Sequence, residues 1–336
     1  MWRLSPALGP RRYSYVAVLA AVAVGALAPS WAGWVLGPAV VAGLVLLGVA
    51  HGACDQYVVP ATRPALARDR GRYWAVFLVA YLGLAAAVGV VWCWWPGLAV
   101  AGFFGLSAWH WGSADAPAGA RYRGQWLMHS ILRGALLFAV PLWCWPATTR
   151  HLIDGLLALA GAVPLRPAAV ALAAQYLGPA VLGGHLLLWA GYWRTGQSAL
   201  AATDMAEALL LSVLLAVLPP VLSAGVYFVF WHSLQHVLRM NGLMGRPVPA
   251  TWAMLRRDTG FFLRRAAPLL LVSLAALGGI YAWVWVRMGS SGPVFISVAL
   301  LVASVVTLPH ALLVTLGLDA APQQARRVPL RQAVAR

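Results

Sequence analysis

Apolar runs of about 20 residues recur along almost the whole chain, and they constrain its fold more than any other feature. The chain has 336 residues, of which 62% are hydrophobic and 10% are charged. A run of about 20 apolar residues is long enough to cross the hydrocarbon core of a bilayer as an α-helix. Proline or glycine stands at most turns between the runs, as at Pro96-Gly97 and Pro219-Pro220. The pattern predicts an all-α, polytopic transmembrane bundle.

Eight to ten membrane spans fit this pattern, and ten is the favoured number. The predicted spans are 13–33, 35–59, 74–95, 97–114, 126–146, 168–191, 204–219, 221–240, 266–288 and 293–317. The 241–265 loop could hold a short surface helix. Residues 1–318 are predicted to form one transmembrane helical domain, and 319–336 a basic cytoplasmic tail. The first run could instead be a signal peptide ending near Ala32, but an uncleaved helix is preferred because the second run follows at once.

The distribution of arginine predicts the orientation of the chain in the membrane. All 24 basic residues are arginine, and twenty of them fall in cytoplasmic segments if the N-terminus is cytoplasmic. Three others, Arg150, Arg166 and Arg287, then fall outside, and Arg133 lies within a span. Cytoplasmic loops carry an excess of positive charge. The chain is therefore predicted to be a multi-pass protein of the cell membrane with both termini in the cytoplasm. The same placement explains the net charge of +16 without a nucleic-acid partner.

The composition excludes several classes of protein. The chain contains no lysine, so neither retinal nor pyridoxal phosphate can be held as a Schiff base. Its single glutamate, Glu207, excludes a di-iron site built from paired Glu-x-x-His helices. Cys54, Cys93 and Cys144 form no zinc pattern. A disulfide between Cys93 and Cys144 is not favoured, since the tryptophans around both indicate an interfacial aromatic belt.

Seven of the eight histidines are predicted to lie in one layer of the membrane, near its cytoplasmic face. They are His51, His110, His129, His185, His232, His236 and His310. Imidazole is the commonest metal ligand, and polar side chains inside a membrane are costly enough to indicate function. The layer therefore predicts one metal centre near the cytoplasmic side of the bundle, whereas His151 lies on the other side.

Two motifs carry three of the candidate ligands. His232 and His236 are four residues apart in the stretch Trp-His-Ser-Leu-Gln-His, so they share one face of a helix. Both could bind one ion, or one could support the other. Residues 50–55 read Ala-His-Gly-Ala-Cys-Asp, which places Asp55 about one turn after His51. Asp55 could orient the imidazole from behind or could bind the metal directly.

A third motif, Trp-His-Trp-Gly-Ser-Ala-Asp at 109–115, repeats the order histidine, glycine, aspartate. It makes His110 a candidate ligand and Asp115 a supporting or ligating carboxylate. His185 and His310 are expected to be supporting or structural residues, and His129 is expected at the interface. Aromatic side chains around the motifs either pack the helices or line an apolar channel for a long, flat substrate; they are Trp109, Trp111, Tyr227, Phe228, Phe230 and Trp231. Four neutral imidazoles suit Fe(II) with open positions for O2 better than closed structural zinc.

These motifs resemble those of the Brp/Blh family of membrane β-carotene 15,15′-dioxygenases. The matching stretches are residues 48–55, 107–115 and 227–236 and the pair Pro309-His310. The resemblance implies non-haem Fe(II) at the catalytic residues His51, His110, His232 and His236. It also implies that O2 cleaves the central double bond of β-carotene to give two molecules of retinal. Gln235 departs from the family pattern, in which a basic residue is expected before the second histidine of the pair.

Other function classes remain open. One is another histidine-rich membrane oxygenase, such as a lipid or carotenoid hydroxylase or desaturase. A second is a haem-binding electron carrier, and a third is a carotenoid-binding protein or transporter without catalysis. The preferred interpretation predicts that the chain interacts with a carotenoid, O2 and membrane lipid. It identifies no protein partner.

Overall fold

The computed structural model describes residues 9, 11–117, 119–288 and 292–319, and in these residues the secondary structure is entirely helical. Eleven helical segments follow one another within this part of the chain. They are α1 (Arg12–Leu27), α2 (Pro29–Thr62), α3 (Arg70–Trp94), α4 (Pro96–Asp115), α5 (Arg123–Cys144), α6 (Pro146–Leu159), α7 (Pro167–Arg194), α8 (Ser198–Val217), α9 (220–243), α10 (Trp252–Met288) and α11 (Gly292–Val314). The predicted basic tail lies outside the described residues, apart from its first residue.

Proline is the first residue of five of these helices. Pro29, Pro96, Pro146, Pro167 and Pro220 each lie in the first turn. The proline ring fixes φ and removes an N–H that the first turn leaves unpaired, and it disfavours helical backbone in the preceding residue. One proline can therefore end one helix and begin the next within a continuous apolar stretch.

The predicted all-α membrane bundle is confirmed. Seven segments of the described chain are long and apolar enough to cross a membrane, namely α2, α3, α5, α7, α8, α10 and α11, and α1 is a shorter apolar helix. Each of the ten predicted spans coincides with a helix, from α1 to α5 and from α7 to α11. The number of segments that cross the bilayer and their orientation stay predictions.

Two helical regions differ from the sequence prediction. α6 lies between the fifth and sixth predicted spans, where polar residues such as Arg150 and Asp154 lower the hydropathy. α10 begins at Trp252 instead of 266, so the expected loop at 241–265 contains the first turns of a long helix. Hydropathy detects only the apolar part of a helix, whereas arginine is a good helix former that extends α10 beyond it.

The main core lies between α1, α2, α5, α7, α8 and α9, which contribute its buried apolar side chains. α3, by contrast, buries only Trp92, as expected of a helix that faces lipid. All three cysteines are free, with Cys54 buried and Cys93 and Cys144 exposed.

Candidate metal centre

Two π-helical segments lie beside the candidate ligands. Leu44–Val49 in α2 ends just before His51, and Tyr227–Ser233 in α9 contains the first histidine of the HxxxH pair. A π turn departs from the α-helical register and is frequent at functional sites. The two helices pack closely here, because a Cβ built on Gly48 would lie 2.9 Å from the Phe228 ring. This close contact brings the histidines of α2 and α9 together.

A glycine contact between α4 and α5 positions His110. A Cβ built on Gly112 would lie 1.8 Å from the carbonyl oxygen of Ser130, and one on Gly134 would lie 1.8 Å from that of Ala108. Only glycine allows the two backbones to approach this closely. Residues two apart in a helix point to nearly opposite sides, so packing Gly112 against α5 directs His110 away from α5, toward α9 and α11.

Five imidazole rings from four helices meet in the interior of the bundle. We call them the histidine cluster: His51 on α2, His110 on α4, His232 and His236 on α9, and His310 on α11. Each ring has at least two others with centroid distances between 4.8 and 5.6 Å. All five are buried, and the most exposed of them, His51, is only 7% exposed. The four predicted ligands therefore lie together, and His310 lies among them.

Most ring nitrogens of the histidine cluster have no hydrogen-bond partner among the described residues. Both nitrogens of His110, His232 and His236 are buried and unpartnered, as is Nε2 of His310. His51 Nδ1 lies 3.4 Å from the Ser233 hydroxyl oxygen. A buried polar group without a partner has lost its hydration without compensation, so such groups need an explanation. Neutral imidazoles grouped in this way have the lone pairs that a metal cation requires, so the residues fit a metal ion.

Asp55 is paired with His310 and not with His51. Its carboxylate oxygens lie 3.0 and 2.9 Å from His310 Nδ1, and the Tyr81 hydroxyl donates a hydrogen bond to it at 3.0 Å. The sequence suggested a contact with His51 because an unbroken helix would place the two one turn apart. The helix breaks into a turn at residues 53–54, and this break changes the direction of the carboxylate. Ligand atoms of Asp55, His236 and His310 lie within 4.8 Å of one another, so these three could also hold a cation.

The aromatic side chains nearest to the histidine cluster are Phe228 and Trp111. The Phe228 ring stacks on His232 at 5.8 Å with an interplanar angle of 17°, and it meets His51 edge-on at 5.5 Å. The Trp111 ring lies 6.0 Å from His232 and 5.5 Å from Tyr227. Three of the predicted substrate-lining residues, Phe228, Trp111 and Tyr227, therefore form part of one aromatic wall beside the histidines.

The other three predicted lining residues have different contacts. Trp109 meets Trp126 edge-on at 5.9 Å, and Phe230 packs against the main core. Trp231 is fully buried and donates its indole N–H to Asp115 at 2.9 Å. The positions of these three side chains are therefore explained by packing between helices.

A second buried polar group, the arginine–carboxylate cluster, consists of Arg11, Asp115, Arg133, Asp204 and Glu207. One nitrogen of Arg133 lies 2.5 Å from Asp204 and 3.0 Å from Glu207, and Arg11 lies 2.5 Å from Glu207 and 3.6 Å from Asp115. Burial lowers the pKa of the Arg11 guanidinium, but the carboxylates of Asp115 and Glu207 together have a larger effect in the opposite direction. The pKa is therefore raised above its ordinary value. Opposite charges therefore pair across α4, α5, α8 and the residue before α1.

Two histidines of the predicted layer, and the aspartate predicted to support or bind the metal, lie in or beside the arginine–carboxylate cluster. Asp115 belongs to it, and His129 Nε2 lies 3.3 Å from Asp204. His129 is buried within the protein. His185 bonds the carbonyl oxygen of Val181 through Nδ1 at 2.9 Å, and its ring contacts Trp189, which donates to Asp204. The structure therefore divides the predicted layer into two sites.

The pairing of Arg133 with Asp204 and Glu207 was not predicted from the sequence. The available signal was the position of these charges inside apolar spans, where an ionisable residue needs a partner. Tyr81 was also missed, because a tyrosine in a lipid-facing helix carries no distinctive pattern. Gln235 donates a hydrogen bond from its side-chain nitrogen to the Ser14 hydroxyl at 2.8 Å, which ties α9 to α1.

Comparison with known proteins gives a consistent result along most of the chain. The family model described as "Beta-carotene 15,15'-dioxygenase" matches residues 42–317. The "Probable beta-carotene 15,15'-dioxygenase Blh" of Halobacterium salinarum is 31% identical over 286 residues, which are 82% of each chain. The "Probable beta-carotene 15,15'-dioxygenase Brp" of the same species is 28% identical over 346 residues, with 89% of this chain and 88% of the relative covered. No solved structure matches the chain. Since the family model covers well over half of the sequence, including all five residues of the histidine cluster, the chain belongs to the β-carotene 15,15′-dioxygenase family.

Proposed function

We propose that this protein is a membrane non-haem iron dioxygenase that cleaves the central 15,15′ double bond of β-carotene. One molecule of β-carotene and one of O2 would give two molecules of retinal, so that all carbon and both oxygen atoms are accounted for. The observation that carries the proposal is the histidine cluster, in which buried imidazoles meet with unpartnered nitrogens. The family membership supports the reaction and the substrate.

Four imidazoles would hold the iron, namely those of His51, His110, His232 and His236. They are neutral, buried donors from three helices that the fold brings within 5.6 Å of one another in a connected set. A set of nitrogen donors without a thiolate suits Fe(II) that retains open positions. When bound, the iron would supply the activation of O2, which no amino-acid side chain provides.

The chain's own residues would position the substrate. β-Carotene has no charged group, so selection of one double bond depends on the shape of apolar walls. Phe228 and Trp111 contact His232 and would place the flat polyene against the metal-binding rings. Tyr227 extends this wall and is itself fully buried, so the same side chains would keep water from the reacting bond.

The membrane would deliver the substrate. A carotenoid is insoluble in water and resides in the bilayer, and the apolar exposed faces of helices such as α3 are consistent with contact with lipid. We propose that the protein is a multi-pass protein of the cell membrane with both termini in the cytoplasm, as the arginine distribution predicts.

The test is expression of the chain in cells that make β-carotene, with iron supplied, followed by extraction and chromatography of pigments. We expect the yellow colour to fade as retinal accumulates. The variant His232→Ala should leave the cells yellow, and His151→Ala, which changes an exposed histidine, should behave as the unmodified chain. Cells that stay yellow with the unmodified protein in their membranes would contradict the proposal. Shorter or longer apocarotenals would instead show cleavage at another bond.

A further inference from the structure

His310 lies among the proposed iron ligands and not behind them. Its ring centroid is 4.8 Å from that of His51, 5.0 Å from His110 and 5.3 Å from His236. These distances match those between the four proposed ligands themselves, such as 4.9 Å between His110 and His232. A residue that supported a ligand from outside would contact one ring, whereas His310 contacts three.

The two ring nitrogens of His310 have opposite environments. Nδ1 faces the carboxylate of Asp55, which can only accept a hydrogen bond, so the proton of a neutral ring resides on Nδ1. Nε2 then carries the free lone pair, and it is buried without a hydrogen-bond partner among the described residues. The residue is 6% exposed, so this lone pair is also shielded from bulk water. It is therefore available to a metal ion.

The carboxylate of Asp55 is hydrogen-bonded to the His310 ring and is not a free metal ligand. Its carboxylate accepts from His310 and from the Tyr81 hydroxyl, and the residue is 1% exposed. Both of these partners are neutral when His310 is neutral, so the buried carboxylate lacks a countercharge from them. A cation bound on the other side of the imidazole would supply that charge through the ring.

We propose that His310 is a fifth imidazole ligand of the metal, bound through Nε2, and that Asp55 is its positioning residue. Asp55 fixes the orientation and tautomer of the ring and increases its basicity, as carboxylates do behind metal-binding histidines. Tyr81 holds the carboxylate in place. This inference rests on the proposed function for the identity of the metal, but not for the position of the site.

The experiment measures binding of Co(II), used as a coloured substitute for Fe(II), to the full chain purified in detergent. Visible absorption bands of Co(II) report the number and kind of its ligands, and titration gives the dissociation constant. The variants are His310→Ala, His310→Gln and Asp55→Asn. The matched control is His185→Ala, which removes a buried imidazole bonded to a backbone carbonyl.

We expect His310→Ala to weaken Co(II) binding by about 100-fold or more and to change the absorption bands. Asp55→Asn should weaken binding about 10- to 100-fold, as expected for loss of a partner behind a metal ligand. Added imidazole should partly restore the bands in His310→Ala, an effect that a merely packing role would not produce. His185→Ala should bind Co(II) as the unmodified chain does. If His310→Ala does not fold, His310→Gln and Asp55→Asn, which are closer in size to the native residues, carry the same test.

Unchanged affinity and bands in the His310 and Asp55 variants would overturn the inference and make His310 a packing residue. A larger change in Asp55→Asn than in His310→Gln would overturn the division of roles and make Asp55 the direct ligand. Loss of metal in His232→Ala but not in the His310 variants would refute only the fifth ligand. If the unmodified chain binds neither Co(II) nor Fe(II), the metal centre of the proposed function fails as well.

Discussion

The histidine cluster and the arginine–carboxylate cluster are both buried polar sites in an apolar bundle, but only the second is held together by ion pairs. Arg133 pairs with Asp204 and Glu207 at distances of 3.0 Å or less, and Arg11 adds a second cation to Glu207. The five imidazoles meet ring to ring, and seven of their nitrogens have no partner within the described chain. The two sites are adjacent, since Trp231 bonds Asp115 and the next residue is His232.

Under the proposed function, this difference separates a structural cluster from a metal-binding one. Paired charges in a low-dielectric interior hold helices together and need no ligand, although the pair must compensate for the loss of hydration. Unpartnered imidazoles contribute no such pairing, and a bound cation would compensate for their lost hydration. Substitutions in the first cluster should therefore change stability, and substitutions in the second should change metal binding and catalysis.

The largest effect is expected from His232→Ala or His236→Ala. Each removes a proposed ligand from a buried set, so bound iron and retinal formation should both fall below detection. The free energy of unfolding should change little in the metal-free protein, because the lost nitrogens have no hydrogen-bond partner. Iron analysis and thermal unfolding in detergent measure the two effects, with His151→Ala as control. Full iron occupancy in both variants would contradict the proposed role of His232 and His236 as iron ligands.

Arg133→Met is expected to produce the largest loss of stability. It leaves Asp204 and Glu207 buried with fewer countercharges, and breaking a buried ion pair on one side costs about 3–5 kcal/mol. The iron content of the protein that remains folded should be unchanged. The double variant Arg133→Met/Asp204→Asn should recover part of the loss, because it removes one uncompensated charge. Loss of iron without loss of stability in Arg133→Met would contradict the structural role.

Gly112→Ala tests whether helix packing sets the position of a ligand. The added methyl group would overlap the carbonyl oxygen of Ser130, so α4 must move away from α5. We expect a loss of about 1–3 kcal/mol, typical of overpacking, together with weaker iron binding through His110. Gly105→Ala is the matched control, since a Cβ there meets no atom within 4 Å. Equal behaviour of the two variants would show that the close contact does not position the ligand.

Trp231→Phe is expected to have the smallest effect on iron binding and retinal formation. It removes the hydrogen bond to Asp115 and keeps most of the aromatic packing, so it should cost about 1–3 kcal/mol if the carboxylate is left without that donor. Iron content should remain as in the unmodified chain, and the rate of retinal formation should change less than in Gly112→Ala. A selective loss of iron would show that the two clusters are coupled through this residue.

The helices and the four proposed ligands could be predicted because their signals are local. Apolar length identified ten of the eleven helices, and α6 escaped because its polar residues lower the hydropathy. His232 and His236 share a helix face by spacing alone. The partner of Asp55 could not be predicted in this way, because a turn at residues 53–54 breaks the helical register that the spacing assumed. His129 and His185 were assigned to the same layer as the ligands, since depth in the membrane does not distinguish one side of a helix from the other.

The amino-acid sequence was sufficient for the class of the protein: an α-helical membrane bundle, without lysine chemistry, rich in histidine and similar to one family of dioxygenases. These properties depend on composition and short-range spacing. Only the tertiary structure decided which histidines meet, that His310 is among them with Asp55 behind it, and that Arg133 pairs with Asp204 and Glu207. Such contacts join residues far apart in the chain, and they depend on the rotation of each helix about its axis. Glycine contacts and π turns set this rotation, whereas hydropathy contains no information about it.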